Sequence, residues 1–184
     1  MGYFWSMGIS FRDKQIAENC QAELKEIKLS DGRLVNFSCY ILPQTDFDIE
    51  PNYVLEIYPE EMEIDGRRKN LEYPFFDEIR NQLLQFVRDL KLNFEIAFCE
   101  CEGADRVTHT NLINCINENG IEEYLSSENI DIYLNPENPY PKRYFDGLIL
   151  SKNEYERLKI KYPEFKKFKE NYLWLPIQTA ANSY

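Results

Sequence analysis

The apolar positions of the chain follow two rhythms, and the change between them marks the elements. Residues 3–9, YFWSMGI, form a short apolar run that predicts a strand. Ile16, Cys20, Leu24 and Ile27 then recur every three or four residues, predicting a helix over 12–27. Asp31-Gly32 supplies a turn before a second strand over 34–42, which Pro43 is expected to stop. A third strand over 53–58 carries Val54, Leu55 and Ile57. The next helix has the fullest set of signals. Phe76, Ile79, Leu83, Phe86, Val87 and Leu90 make one stripe, with Pro74 at the first helical position. Asp77 and Glu78 suit its positive end, and Arg88 and Lys91 its negative end. Asn93 closes it and leads into a strand over 94–101.

This order, β-α-β-β-α-β, is that of a split-βαβ, ferredoxin-like core with its helices on one face. The expected class is therefore α+β, a mixed and largely antiparallel sheet with helices packed on it. Beyond the core, a short helix over 111–119 runs from Thr110 to Gly120. The proline-rich NPENPYPKR, residues 135–143, reads as an extended connection to a strand over 144–150. Ser151 and Glu154 form a capping box opening a final helix. Its stripe is Tyr155, Leu158, Tyr162, Phe165, Phe168 and Tyr172, interrupted at Pro163. At 184 residues the chain has the size of one domain, 1–184, that buries roughly 70% of its extended surface. Within it, 1–134 reads as the core and 144–184 as a strand-helix extension.

Charge changes the picture. The chain carries 32 acids, 21 bases and a net charge of −11, which repels nucleic acid and anionic membranes. The excess is segregated: residues 93–140 hold 10 acids and a single base, Arg106, whereas residues 141–184 hold 5 acids and 9 bases. Glu100, Glu102, Asp105, Glu118, Glu122, Glu123, Glu128 and Asp131 fall in the acidic stretch, with Tyr124, Tyr133 and Tyr140 among them. Charges speed encounter with a basic protein, and tyrosines supply contact area once it has docked. The competing expectation is internal neutralisation by Lys159, Lys161, Lys166, Lys167 and Lys169.

Candidate chemistry is sparse. Cys99, Cys101, His109 and Cys115 together offer a Cys₃His donor set for zinc. The cheaper reading is that Ala97, Cys99 and Cys101 make a small-residue strand face under a helix, cysteine serving as a buried small hydrophobe. No metal and no cofactor are therefore expected. His109 is the single histidine, which restricts acid-base and triad chemistry. Carboxylate groups such as Asp46, Asp48 and Glu50 lack the frame of a calcium loop. With seven glycines there is no phosphate-cradling loop and no nucleophile elbow. Five cysteines without a secretory leader, and no stretch of ~20 apolar residues, fit a cytoplasmic protein.

In general character, small, acidic, aromatic-rich and free of catalytic motifs, the chain is similar to bacterial immunity proteins. That resemblance implies a non-enzymatic inhibitor that occludes a basic toxin or nuclease. The alternatives are a small enzyme or metal-binding protein using carboxylates or the Cys99/Cys101/His109/Cys115 cluster, and a structural subunit. The last rests on aromatic residues expected to be exposed over 162–174.

Overall fold

The structure is a computed structural model that describes residues 3–44, 52–60, 76–103, 145–157 and 165–175. The elements in chain order are β1 (Tyr3–Phe11), α1 (Lys14–Glu23), β2 (Ile27–Lys28), β3 (Leu34–Val35), β4 (Phe37–Gln44) and β5 (Asn52–Pro59). They continue with α2 (Phe76–Asp89), β6 (Ile96–Gly103), β7 (Phe145–Ser151), α3 (Lys152–Arg157), β8 (Lys166–Lys169) and β9 (Tyr172–Leu175). The fold is α+β, built on a seven-stranded sheet in the order β4-β5-β1-β6-β7-β9-β8. Every neighbouring pair in it is antiparallel.

Its first four places, β4-β5-β1-β6, are the strand order of a split-βαβ core, with α1 and α2 as the two crossovers. Pleating sends alternate residues to opposite faces. Met7, Ile9 and Phe11 of β1 join Leu55 and Ile57 of β5, Ala97 of β6 and Ile149 of β7 in one core. The helices close that face with Ala17 and Cys20 of α1 and Ile79, Leu83, Leu84 and Val87 of α2. Each fully buried aliphatic side chain contributes about 1.5–3 kcal/mol. The opposite face is buried as well, at Ser6, Ser10, Val54, Glu56, Ile96, Leu148 and Leu150.

Local chemistry sets the boundaries. Asp13 caps α1 by accepting from the backbone N–H groups of Gln15 (2.7 Å) and Ile16 (3.4 Å). The helix ends at Glu23, short of the expected 27, because Ile27 and Lys28 pair with Val35 and Leu34 in a separate ribbon. That ribbon turns at Gly32, whose φ of 91° suits glycine. β4 runs past Pro43 to Gln44, because a proline on an edge strand is tolerated when its nitrogen faces away from the ladder.

The C-terminal expectation is corrected. Half of the capping box forms: the Glu154 N–H donates to Ser151 Oγ (3.2 Å), but the Ser151 N–H goes to the Glu95 carbonyl (2.9 Å), and α3 ends at Arg157. Residues 166–175 form a hairpin, not a helix. Lys169 faces Tyr172 across the two-residue turn Glu170-Asn171, with Asn171 at φ 63°, and the register slips between Lys167 and Lys169. The turn and the slip together bring Phe168 and Tyr172, four residues apart, onto the same core, so that they imitate a helical stripe. Phe168 and Tyr172 are buried in the core, and Trp174 packs half-buried against it. The aromatics expected to be exposed for assembly are therefore internal at these positions. The expected helix over 111–119, the 135–143 connection, Pro74 and Pro163 lie outside the described residues.

Candidate functional site

β6 carries four of the residues singled out by sequence. Cys99 and Cys101 stand in register with Met7 and Trp5, and Glu100 and Glu102 with Ser6 and Phe4. Cysteines and acids thus alternate along the strand. Cys99 sits two places from Ala97, in register with a residue of the helix-side core. Asp105, His109, Cys115, Glu118, Glu122, Glu123, Tyr124, Glu128, Asp131, Tyr133 and Tyr140 lie outside the described residues. Among the described residues no three His, Cys, Asp or Glu side chains gather as a metal site.

The thiols of Cys20 and Cys39 are shifted away from reactivity. Burial, reinforced by the charge of Glu23, pushes Cys20 up to about 12. Burial and Glu60 push Cys39 up to about 11. A thiolate nucleophile needs the opposite environment.

Two carboxylates outside the candidate site residues, Glu56 and Glu154, hold buried positions. Glu56 is 0% exposed on the face away from the helices, and Tyr58 Oη donates to its Oε2 at 2.8 Å. Tyr40 meets the Tyr58 ring edge-on at 5.9 Å. The available signal was an acid interrupting the apolar run Val54-Leu55-Glu56-Ile57. Glu154 lies at the end of the sheet, clamped by Arg157 through Nε (2.9 Å) and Nη2 (2.5 Å) and reached by Arg12 Nη2 at 3.5 Å. Arg12 Nε also pairs with Glu95 at 3.0 Å. Burial, and then the charge of Glu154, raise Glu95 against the lowering influence of Arg12. Two acids held between two guanidiniums fasten α3 to the end of β1.

Of the lysines expected to neutralise the acidic segment, Lys169 has a different role. Lys169 Nζ donates to the carbonyls of Val87 (2.9 Å) and Leu90 (2.6 Å), capping the C-terminal end of α2. It also lies over the rings of Phe94 and Tyr172, at 5.0 and 4.8 Å. Lys166 and Lys167 are exposed on β8 and take part in no ion pair among the described residues. Lys159 and Lys161 lie outside them.

The two edges of the sheet differ in chemistry. β8 reads Lys-Lys-Phe-Lys, a charged edge of the kind that discourages further pairing. β4 reads FSCYILPQ, eight residues without a charge. The Glu60 N–H donates to the Asn36 carbonyl (2.8 Å), so residues 36 and 60 are a hydrogen-bonded pair. By alternation the even-numbered residues of β4 bond to β5, leaving the backbone groups of Phe37, Cys39 and Ile41 pointing away from it. Pro43 and Pro59 both fall at positions where β4 and β5 do not bond, so their missing N–H groups cost that ladder nothing. Tyr40 (39% exposed) and Leu34 (52%), the large exposed hydrophobic residues among those described, stand on or beside this edge. Between β4 and the end of α1 runs a groove of about 290 Å³, with Leu24, Lys25 and Glu26 on one side and Phe37 and Cys39 on the other.

No protein family, curated protein or solved structure was found to match the chain.

Proposed function

We propose that this chain is a non-enzymatic protein-binding module, most concretely an immunity-type inhibitor that occludes a basic toxin or nuclease. Its acidic segment, residues 93–140, supplies the contact. The observation that carries this reading is charge segregation, with 10 acids and one base in that stretch. Glu100, Glu102, Asp105, Glu118, Glu122, Glu123, Glu128 and Asp131 are the electrostatic contacts, and Tyr124 and Tyr133 the anchors. Support comes from three of the five lysines expected to neutralise the acidic segment: Lys166 and Lys167 are exposed outside any described ion pair, and Lys169 caps α2. None of the three is paired with an acid among the described residues, as a charge left for a partner requires. A basic active-site surface would be drawn in by long-range attraction and then covered, which blocks its substrate without any chemistry.

The test starts by capturing partners from the source cells and identifying the basic protein bound at one-to-one stoichiometry. Charge reversal at Glu122, Glu123 and Glu128 should then weaken binding at least a hundredfold at low salt. Unchanged affinity in that triple variant rules the segment out as the docking face.

A further inference from the structure

We propose that β4 is a strand-addition site for an extended, basic-flanked segment of a partner protein. This deepens the protein-binding reading and rests on it, but it uses a different surface from the 93–140 segment. Three independent features meet at this edge. The outward backbone groups of Phe37, Cys39 and Ile41 offer a ready ladder for one more strand. No charge interrupts the eight residues, whereas the opposite edge is lined with lysines. A groove lies alongside, bounded by β4 and the end of α1, where alternate side chains of an added strand would enter. Its 290 Å³ is close to the lower bound of about 300 Å³ for ligand pockets and suits one or two side chains. The remaining side chains of the added strand would lie over Ser38 and Tyr40 on the other face.

Charge selects the occupant. Glu26 lines the groove, and Glu60 stands beside β4, accepting from Ser38 Oγ at 2.9 Å and donating its N–H to the Asn36 carbonyl at 2.8 Å. Against these stands Lys25. A second copy of the chain, pairing β4 with β4, would bring the same acids together and join two molecules of net charge −11. A strand flanked by lysine or arginine meets the acids favourably instead.

The probe is a ten-residue peptide of alternating valine and threonine with two lysines at each end. Its controls are a glutamate-flanked peptide and a lysine-flanked one N-methylated on the residues that would donate to β4. Binding to the full chain is read by fluorescence anisotropy, and its location by amide hydrogen exchange. The expected result is slowed exchange at Phe37, Cys39 and Ile41, with affinity at least tenfold weaker for each control peptide. Cys39→Pro, which removes an outward N–H and leaves the β5 ladder intact, should cost a similar factor. The N-methylated peptide keeps the test decisive on the unaltered protein if that variant does not fold. Undiminished binding of the N-methylated peptide, or protection elsewhere than β4, overturns the proposal. Equal binding of the glutamate-flanked peptide overturns the choice of a basic occupant. Protection of the same amides without peptide, together with a dimeric mass, overturns it in favour of a second copy. Any of these leaves the 93–140 reading standing, since that reading fails only in the charge-reversal experiment.

Discussion

Tyr172 joins the last hairpin to the start of β6. Its hydroxyl accepts from the Phe94 N–H (3.0 Å) and donates to the Phe94 carbonyl (3.1 Å), while the two rings stack at 4.2 Å. Phe94 is buried, so removing the hydroxyl strands both its backbone groups away from water. Tyr172→Phe should therefore cost about 2–4 kcal/mol in urea denaturation, with the fold retained. A loss below about 0.5 kcal/mol would show that water replaces the hydroxyl there. Glu95 gives a prediction with the opposite sense. Burial, helped by Glu154, raises its folded value above that of an ordinary glutamate, so the neutral form is the better fit. The stability it contributes is present below about pH 4, the unfolded value, and is lost as pH rises through the folded one. Glu95→Gln should flatten that decline: its melting temperature exceeds the parent's at pH 7 and approaches it below pH 4. Because Arg12 is half exposed, losing its pairing with Glu95 offsets this gain by no more than about 1 kcal/mol. A variant less stable than the parent at every pH would mean that the ion pair outweighs burial.

At the scale of elements, the ferredoxin-like core was legible because its helices announced themselves by period and its strands by short apolar runs. The α2 stripe and the runs in β1 and β5 supply buried residues of the core. The C-terminal hairpin was not legible, for a definite reason. Strand alternation is detected over uninterrupted residues, and here a tight turn at Glu170-Asn171 and a register slip fall within ten residues. The signal that could have revealed it is Asn171, a residue that tolerates positive φ, placed between two aromatic-containing runs. Pro43 misled in a similar way. A proline ends a central strand but is neutral on an edge, and edge position is a property of the assembled sheet. The same holds for the candidate sites. The acidic segment could be counted along the chain, whereas the β4 groove required α1 and β4 to be brought together. Glu56 lies between these cases, visible as an acid in an apolar run but significant only once both faces of the sheet are buried.

At the scale of the whole molecule, folding and binding should respond to salt in opposite directions. A chain of net charge −11 repels itself when compact, most strongly where acids are concentrated over 93–140. Raising ionic strength shortens the screening length from about 30 Å at 0.01 M to about 8 Å at 0.15 M and relieves that repulsion. The melting temperature of the isolated protein should therefore rise over this range. Capture of a basic partner uses the same field attractively, so its association rate should fall by a factor of ten or more over the same interval, while dissociation changes much less. Reversing Glu122, Glu123 and Glu128 to lysine should move both slopes toward zero, because it takes residues 93–140 from a net charge of −9 to −3 and the chain from −11 to −5. Calorimetry of the free protein and stopped-flow mixing with its partner measure the two slopes separately. If the melting temperature rose with salt while the association rate stayed flat, the acidic segment would be serving solubility, and recognition would have to come from an uncharged surface such as the β4 edge.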